Sequence, residues 1–426
     1  MASSSIWFLA TQKIDMNLLF QTNQLNLRMH YRFVSILVFC LGAVSCADRE
    51  ILLQLPEGNS FQSNTLVQVK LTEKLRNQPL RLMGKNSRGR FEVPYQIQEE
   101  TLYWLSDIES TVYSLLVEAP SVHPEIKLSE REGQIEVYQN QTKIVGYQVA
   151  VKNPPKGINP AFKRSGYLHP VNTPKGKRLT QIQPKDHYHH YGIWNPWTHT
   201  LFEGDTLDFW NLAKEEGTVR FAKLLKKESG AVFSEFKVLQ EHVVLKNGAE
   251  KVALNETQHI KVIPINQNRY LMDFTIQYEC ATEQPFTILK YRYAGFGWRT
   301  TEEWDNQNSR VLSSDGKTRK NADGSTARWC IVDGKLGQGY GGALMLSHPE
   351  NYNHPEPLRV WPEDMYGRGD LFVNFATTKT TDWALNPGKV YTLKYQLLIY
   401  DGTIQPDVAE KKWNQFAYPL EYKINP

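Results

Sequence analysis

The stretch "YTLKYQLLIY" (residues 391–400) alternates apolar with polar side chains. Side chains of a β-strand point in turn to the two faces of a sheet, so this period of two predicts a half-buried strand. The same alternation recurs in "VQVKLT" (67–72), "QIEVY" (134–138) and "VFSEFKVL" (232–239). Only "PDVAEKKWNQF" (406–416) has a clear helical pattern. The chain is therefore predicted to be mainly β, with one helix near its end.

Turn signals separate the predicted strands: "KNG" (246–248), "ADG" (322–324) and "NPG" (386–388). Short turns of this kind join neighbouring strands that run in opposite directions. Long antiparallel strands with aromatic-rich loops are typical of two-layer β-proteins. The expected fold is a large antiparallel β-sandwich or supersandwich, preceded by a small β-sandwich.

The length of 426 residues suggests more than one domain. A boundary is predicted near residues 120–130, where the loop-like "APSVHPEIK" follows the strand-like "STVYSLLVEA". Residues 47–127 would then form the small β-sandwich, and residues 128–402 the larger, catalytic β-domain. Residues 403–426 would be a C-terminal extension that carries the helix.

The sequence opens with a predicted export leader, residues 1–46. In "MHYRFVSILVFCLGAVSCADRE" (29–50), charged residues precede an apolar stretch at 33–44, and small residues precede Cys46. This order is typical of a secretory signal peptide, with Met29 as an alternative start, and the apolar stretch is too short to span a membrane. "GAVSC" also resembles a bacterial lipoprotein box with Cys46 as the lipidated residue. We expect an exported protein, either free in the periplasm or lipid-anchored at the outer membrane or cell surface.

The formal net charge is +4, and residues 1–46 contribute +2 of it, from three Lys or Arg against one Asp. The rest of the chain is close to neutral and has no dense basic stretch, which argues against nucleic-acid binding. Two cysteines follow the leader, Cys280 and Cys330. An exported protein can form a disulfide between them, and two separate buried thiols are the alternative.

The densest group of reactive side chains is "DHYHHYGIW" (186–194), and five of the eleven histidines lie between residues 169 and 199. If this stretch begins as a strand, His187 and His189 share one face and His190 lies on the other. Two histidines so placed can bind a divalent metal or share proton transfer. A further metal ligand would come from Asp186, His169, Glu203 or His348. The alternative is a set of histidines that are hydrogen-bonded into an aromatic wall.

Aromatic side chains continue in "NPWTHTLFEGDTLDFWN" (195–211), with Trp197 and Trp210. Aromatic rings beside hydrogen-bonding groups suit sugars, whose ring faces are apolar and whose rims carry hydroxyl groups. Burial in the sandwich core is the alternative for these tryptophans. Three more loop-like stretches carry side chains able to hold a carboxylate. These side chains are Arg164 and His169, Arg292 and Arg299, and His348.

Three common catalytic motifs are missing from the sequence: the G-x-S-x-G elbow, the P-loop and the H-E-x-x-H zinc motif. Serine hydrolases, nucleotide-dependent enzymes and zincin proteases are therefore disfavoured. A divalent metal is the one cofactor that these histidines suggest, because they could bind it.

Ordered motifs between residues 160 and 402 carry a family resemblance: "GYLHPV", "TPKGKRLTQ", "DHYHHYGIW", "GDTLDFWN", "ARWCIVDG", "SHPENYNHP" and "LNPGKVYTLKYQLLIYDG". This series resembles a bacterial family known as PmoA-like. The copper-oxygenase activity behind that name is not implied, because the chain after the leader has no spanning segment. The chain departs from the family pattern at Tyr191, where "HHRG" is usual, and at Tyr400, where "HDG" is usual. If a replaced residue is catalytic in relatives, the substrate or reaction here differs.

The resemblance implies an exported lyase of polysaccharide degradation, closest in type to the ulvan oligosaccharide dehydratases of marine Bacteroidetes. Such an enzyme would remove water across C4–C5 of a non-reducing-end glucuronate on the oligosaccharide and leave an unsaturated uronate. Two other functions compete with this one. They are a non-catalytic carbohydrate-binding lipoprotein and a His-x-His metal-dependent oxygenase or hydrolase.

This elimination needs a base for the C5 proton, an acid for the leaving hydroxyl and a cation for the carboxylate. The expected catalytic residues are His187, His189 and His190, as acid, base or metal ligands, with Tyr188 or Tyr191 as the proton donor. The expected substrate-binding residues are Arg164, His169, Trp194, Trp210, Arg299 and His348. His187 and His189 would be the ligands of a divalent metal.

Overall fold

The computed structural model describes residues 50–55, 64–106, 112–121 and 125–424. The predicted leader, with Cys46, lies outside these residues. None of the helices in these ranges is long and apolar enough to cross a membrane.

Antiparallel β-structure dominates the described residues, which confirms the predicted fold class. The first strands are β1 (Ile51–Gln54), β2 (Leu66–Lys70), β3 (Arg81–Asn86), β4 (Gly89–Glu92), β5 (Tyr95–Gln98), β6 (Thr101–Leu105), β7 (Val112–Leu116), β8 (Leu128–Arg131), β9 (Gln134–Gln139) and β10 (Thr142–Gln148). The next are β11 (Tyr167–Val171), β12 (Ile193–Trp194), β13 (Thr200–Phe202), β14 (Asp205–Leu207), β15 (Gly217–Glu228), β16 (Ser234–Lys246), β17 (Ala249–Asn266), β18 (Arg269–Cys280), β19 (Phe286–Ile288) and β20 (Gly297–Arg299). The last are β21 (Ser309–Ser313), β22 (Thr326–Ala327), β23 (Trp329–Leu336), β24 (Gly339–Ser347), β25 (Glu356–Val360), β26 (Phe372–Phe375), β27 (Trp383–Leu385), β28 (Tyr391–Asp401) and β29 (Glu421–Ile424). The helices are α1 (Glu73–Arg76), α2 (Pro406–Ala417) and two 3₁₀ turns at Pro160–Phe162 and Leu212–Lys214.

The N-terminal strands β1 to β7 form an eight-stranded sheet with the last strand, in the order β4-β3-β7-β1-β29-β2-β6-β5. β29 pairs antiparallel with β1 and parallel with β2. Buried side chains that include Trp104, Tyr113 and Tyr422 form the core of this sheet. Residues 403–426 therefore contribute a strand to the first sheet, in addition to helix α2.

Two larger sheets pack face to face. One has nine strands, in the order β22-β25-β26-β20-β12-β11-β10-β9-β8, and the other has eight, in the order β15-β16-β17-β18-β28-β24-β23-β21. A smaller sheet has the order β14-β13-β19-β27. Tyr147 and Trp298 from the nine-stranded sheet share one core with Phe274 and Tyr395 from the eight-stranded sheet. Because side chains alternate, Arg299 points away from this core, toward the outer face of its sheet.

The stretch at 391–400 is β28, a central strand that pairs with β18 and β24. The predicted turn at 246–248 joins β16 to β17 through Asn247 and Gly248, whose φ angles are +54° and +75°. Two successive positive φ angles are the conformation that an Asn-Gly hairpin turn adopts. Cys280 and Cys330 are free thiols, so the structure contains no disulfide between them.

Candidate functional site

The histidines at 187, 189 and 190, here called the histidine cluster, lie on two consecutive turns and not on a strand. The N–H of His187 donates to the Pro184 carbonyl (2.9 Å), and the N–H of His190 donates to the His187 carbonyl (3.0 Å). The expectation that alternation separates His190 from the other two is therefore wrong. Proline favours turn conformations, and here the local turn overrides the period of two.

The turns bring the three imidazole rings into contact. The ring centres of His190 and His187 are 4.8 Å apart, as are those of His190 and His189, and those of His187 and His189 are 5.5 Å apart. His190 is buried, and its Nδ1 has no hydrogen-bond partner in the described part of the chain. The cluster is thus a compact group of proton-accepting side chains.

A carboxylate lies next to one of these histidines. Asp186 Oδ2 lies 3.0 Å from Nδ1 of His187, although the angle is outside regular hydrogen-bond geometry. Burial lowers the pKa of His187, and Asp186 opposes that shift. Burial acts to raise the pKa of Asp186, but the contact with His187 brings it below its usual value. A carboxylate next to a histidine ring stabilises its protonated form, which is what a general base needs.

Burial keeps the other two histidines uncharged at neutral pH. It lowers the pKa of His189 to about 4 and that of His190 well below its usual value. The positive charge of Arg299 adds to the lowering of the pKa at all three histidines. Neutral imidazoles accept protons, so the cluster is in the form that removes a proton from a substrate.

The loop between β25 and β26 places two aromatic rings against the cluster. The Trp361 ring centre is 5.0 Å from His187 and 5.5 Å from His190, and the Tyr366 ring centre is 4.7 Å from His187. Trp361 is fully buried, whereas Tyr366 is 58% exposed. Trp361 is therefore a fixed wall of the site, and Tyr366 is its outer cover.

Tyr293 contributes a hydroxyl that already accepts two hydrogen bonds. The donors are Trp361 Nε1 (2.9 Å) and Arg359 Nη2 (2.9 Å). A hydroxyl oxygen has two acceptor positions and one proton, so this hydroxyl must direct its own proton elsewhere. Because Tyr293 lines the cavity, it is a candidate proton donor to a bound substrate.

Asp208 fixes the loop that carries Trp210 and Asn211. Its Oδ1 accepts the backbone N–H groups of Trp210 (2.9 Å) and Asn211 (2.8 Å), and its Oδ2 accepts Asn211 Nδ2 (2.7 Å) and Lys214 Nζ (2.9 Å). Burial acts to raise the pKa of Asp208, but these hydrogen bonds bring it below its usual value. An aspartate that accepts the N–H two residues later forms an Asx turn. This turn holds Trp210 in the site.

Together these side chains enclose a cavity of about 170 Å³. It is lined by His187, His189, His190, Thr198, Trp210, Asn211, Tyr291, Arg292, Tyr293, Trp361 and Tyr366. Arg292 is exposed, and its guanidinium lies 5.5 Å from the ring centre of Tyr293. No carboxylate of the described residues forms an ion pair with it. Arg292 is therefore available to bind a carboxylate on a ligand.

Arg299, the carboxylate-binding residue expected from the sequence, does not line this cavity. It is 1% exposed, and its Nη2 forms an ion pair with Asp370 (2.5 Å). Its guanidinium also lies 4.9 Å from the ring centre of Trp361. Because its charge is already matched inside the protein, Arg299 anchors the loop of Trp361 and favours neutral histidines.

Neither predicted tyrosine donor lines the cavity. Tyr191 is buried and donates its hydroxyl proton to the Phe162 carbonyl, while Tyr188 packs against the Phe162 ring at 5.7 Å. Arg164 is buried as well, with its guanidinium 5.6 Å from the Tyr191 ring centre. These three side chains support the histidine turns from behind, so the donor expected at Tyr188 or Tyr191 is better assigned to Tyr293.

Two other predicted residues lie elsewhere. His169 Nδ1 is 2.9 Å from Thr180 Oγ1, and the His348 ring packs edge-on against Phe416 of α2 at 5.2 Å. Neither lines the cavity of the histidine cluster. Trp194 is buried behind that cavity, with its ring centre 5.4 Å from that of His190. Among the predicted substrate-binding residues, Trp210 is the one that lines the cavity.

The stretch 347–355, which suggested a carboxylate-binding loop, belongs to a buried polar network around Glu356. Glu356 accepts hydrogen bonds from Ser347 Oγ (2.6 Å), Asn351 Nδ2 (2.9 Å), the Tyr395 hydroxyl (2.9 Å) and the Thr377 hydroxyl. A buried carboxyl group with four donors is satisfied inside the fold. This loop therefore has a structural role.

Of the two departures from the family pattern, Tyr191 and Tyr400, only the first lies near the site. Tyr400 is buried in β28 among side chains that pack under α2, and its hydroxyl donates to Asp333 (3.0 Å). The change at Tyr400 therefore does not alter the cavity. The change at Tyr191 affects the side chains that pack behind the histidine turns.

No metal centre is evident in the described residues. They contain no group of three or more His, Cys, Asp or Glu side chains placed to hold a metal ion. His187 and His189 thus have no third protein ligand there, which a stable site with these two histidines needs.

Sequence reasoning missed part of the cavity wall. Trp361 and Tyr366 come from "VWPEDMYGRGD" (360–370), where two aromatic residues in a Gly-containing loop are the only signal. Tyr291 and Tyr293 lie in a stretch that the sequence marks for its arginines. Their place in the cavity wall depends on which parts of the fold lie next to the histidine turns, and the sequence alone does not show this.

Residues 134–414 match a family described as "Family of unknown function (DUF6807)". The matched range is more than half of the chain and includes every residue that lines the cavity. The chain belongs to this family. The description of the family names no activity, so the function has to be argued from the site. The resemblance to PmoA-like proteins stays a prediction.

No curated protein matches the chain. Among solved structures, a heparan sulfate lyase HepC mutant from Pedobacter heparinus is similar, with 9% identity and a TM-score of 0.34, over 68% of this chain and 38% of the lyase. A galactose mutarotase related enzyme from Lactobacillus acidophilus has 8% identity and a TM-score of 0.31, over 66% of this chain and 99% of that one. The chain thus spans little more than a third of the length of the lyase. Likenesses this distant carry no argument about activity.

Proposed function

We propose that this protein is an exported carbohydrate-active lyase. It removes water across C4–C5 of a glucuronate at the non-reducing end of ulvan-type oligosaccharides. The observation that carries the proposal is the Asp186–His187 pair, 3.0 Å apart, in an aromatic cavity that also contains the unpaired Arg292. This elimination requires a base, a hydroxyl group that donates a proton to the leaving group, and a cation that binds the carboxylate.

The size of the cavity supports action on a chain end. A volume of about 170 Å³ has room for one sugar ring and not for several. The rings of Trp210 and Tyr366 can contact the apolar face of that sugar, and Asn211 can hydrogen-bond its hydroxyl groups. Such a site accepts the terminal unit of an oligosaccharide, with the rest of the chain outside.

Each step of the reaction can be given to a side chain of the cavity. Arg292 binds the carboxylate and so stabilises the negative charge that develops when C5 loses its proton. Nε2 of His187 takes that proton, and the electron pair of the C5–H bond forms the C4–C5 double bond. The C4–O bond breaks, and the hydroxyl group leaves as water with a proton from Tyr293. Transfer of the proton from His187 back to Tyr293, directly or through water, restores the site.

Incubation of the purified protein with glucuronate-ended ulvan oligosaccharides tests this function. We expect mass spectrometry to show the loss of one water per chain, together with the ultraviolet absorbance of an unsaturated uronate. His187→Gln should bind the same oligosaccharide and leave it unchanged, because Gln cannot act as the base. Binding without conversion by the wild-type protein would instead favour the non-catalytic carbohydrate-binding function.

A further inference from the structure

A second cavity, of about 240 Å³, lies on the other side of the large sandwich. It is enclosed by the outer face of the eight-stranded sheet, the N-terminal sheet and helix α2. Its lining is Thr65, Leu66, Gln68, Tyr103, Lys261, Leu271, Asp273, Gln396, Lys412, Gln415, Phe416, Pro419 and Leu420. None of these residues lines the cavity of the histidine cluster.

The floor of this cavity is part of a polar row that crosses four adjacent strands. Glu235, Lys261, Asp273 and Gln396 are successive cross-strand partners in β16, β17, β18 and β28. Gln396 Nε2 donates to Asp273 (2.7 Å), and Lys261 Nζ lies 3.8 Å from Glu235. Lys261 therefore lies between the carboxyl groups of Glu235 and Asp273. The positive charge on the floor is thus offset by carboxyl groups of the protein itself.

The roof of the cavity, on α2, is not balanced. Lys412 and Gln415 are three residues apart and so share one helix face. Lys412 is 7% exposed and donates to the Asn64 carbonyl (2.9 Å), and no carboxylate of the described residues forms an ion pair with it. Gln415 is 8% exposed, and neither its Oε1 nor its Nε2 has a hydrogen-bond partner in the described part of the chain.

Both groups are costly to bury in this state. An unsatisfied buried amide destabilises a protein, and an unpaired buried cation destabilises it more. Burial lowers the pKa of Lys412 to about 8, and the positive charges of Arg269 and Lys411 add to that lowering. A ligand with a carboxylate and hydroxyl groups would satisfy the ammonium and the amide together.

We propose that this second cavity binds a small hydroxylated carboxylate of the size of one sugar acid. Its carboxylate pairs with Lys412, its hydroxyl groups exchange hydrogen bonds with Gln415, and its apolar face contacts Phe416 and Tyr103. The mixture of charged, amide and aromatic side chains is typical of sites for polar ligands with an apolar face. The site is separate from the histidine cluster, so its occupancy does not depend on catalysis.

Isothermal titration calorimetry with D-glucuronate tests this site. The titrated protein is His187→Gln/Arg292→Met, in which the first cavity lacks its proposed base and carboxylate partner. We expect saturable binding of D-glucuronate and at least about tenfold weaker binding of D-glucose, which lacks the charge that pairs with Lys412. Lys389→Met, made in the same background, is the matched control, because Lys389 is an exposed lysine outside this cavity and its loss should leave the binding unchanged.

Gln415→Glu is the decisive variant. It keeps the side-chain size and gives Lys412 an internal carboxylate, so the protein should stay folded and melt at the same or a higher temperature. The same carboxylate should abolish the binding of D-glucuronate, because it repels the ligand and occupies the ammonium group. Absence of binding in the His187→Gln/Arg292→Met protein, equal binding of D-glucose, or unchanged binding in Gln415→Glu would each overturn the proposal. Turnover is not read in this experiment, so its failure is distinct from failure of the proposed lyase function.

Discussion

The carboxylate of Asp186 lies 3.0 Å from Nδ1 of His187, the next residue along the same turn. Neighbouring residues on a strand would point to opposite faces, so this contact exists only because the chain turns at Pro184. It opposes the lowering of the His187 pKa that burial causes. The proposed chemistry depends on this pair more than on any other contact in the site.

Asp186→Asn should lower kcat/KM about tenfold to a thousandfold, because the base loses the charge that stabilises its protonated form. Asp186 raises the pKa of His187, so its removal should also move the acid limb of the pH–rate profile to lower pH. A pH profile of kcat/KM for both proteins is the measurement. An unchanged limb with full activity would remove His187 from the role of base.

Arg292→Met should raise KM for glucuronate-ended oligosaccharides by about tenfold to a hundredfold, the effect of losing a charge-assisted hydrogen bond. Arg292→Lys should recover part of this loss because the charge returns without the planar geometry. Steady-state kinetics of the three proteins provides the comparison. Arg131→Met, at an exposed arginine of β8 outside the cavity lining, is the matched control and should keep the wild-type KM. Equal KM values in Arg292→Met and wild type would exclude Arg292 as the carboxylate partner.

Tyr366→Phe should retain most of the activity, whereas Tyr366→Ala should raise KM, because the ring and not the hydroxyl covers His187. An aromatic contact of this kind contributes about 0.5–1.5 kcal/mol, so KM should rise roughly threefold to tenfold. The folded state should hardly change, since Tyr366 is largely exposed. If Tyr366→Phe is as impaired as Tyr366→Ala, the hydroxyl takes part in the reaction and the proton donor has to be reassigned from Tyr293.

Arg319 fixes the loop that carries Trp361 and Tyr366. Its guanidinium is buried and donates to the carbonyls of Pro362 (3.2 Å), Gly369 (2.8 Å) and Asp370 (3.1 Å). Arg319→Met removes the donor to the Gly369 and Asp370 carbonyls, while the Pro362 carbonyl keeps the N–H of Met365, and should lower the free energy of unfolding by about 3 kcal/mol or more. Chemical denaturation measures that loss. A change below about 0.5 kcal/mol, the range of ordinary surface substitutions, would show that Arg319 is not the anchor of the loop.

Stability should fall on acidification. Burial lowers the pKa of both His169 and His189 to about 4, below the usual value of 6.5, so the unfolded chain binds more protons between these limits. The contribution is fully present above about pH 6.5 and is lost as the pH falls toward about 4, with an upper limit of roughly 3 kcal/mol for each histidine.

His169→Gln, at a histidine outside the cavity, gives a direct check of that dependence. The free energy of unfolding of this variant, measured by urea denaturation across the same pH range, should fall less steeply than that of the wild-type protein. Parallel curves for the two proteins would show that His169 does not hold a lowered pKa in the folded state.

The sequence could predict the strands because alternation and turn signals are local. "YTLKYQLLIY" is β28, and Asn247 and Gly248 form the hairpin turn that their residue types favour. It could not predict that β29 lies between β1 and β2 in the first sheet, because these pairings join residues more than three hundred positions apart. Long-range pairing leaves no pattern in either segment by itself.

The same distinction explains what was missed in the site. The histidine cluster is dense in the sequence and was found, but the pairing of Arg299 with Asp370 joins residues 71 positions apart. An arginine in a loop-like stretch looks the same whether its partner is a substrate or an internal carboxylate. For this reason the sequence could not show that Arg299 pairs with an internal carboxylate, whereas Arg292 lines the cavity.

The most direct test of the central claim compares two oligosaccharides that differ only at the terminal C6 position. One ends in glucuronate, and the other has that carboxyl group reduced so that it ends in glucose. Mass spectrometry over time should show the loss of one water from the glucuronate-ended chain alone, with its rate abolished in His187→Gln. Equal conversion of both chains, or conversion of neither by a folded wild-type protein that binds them, would contradict the account.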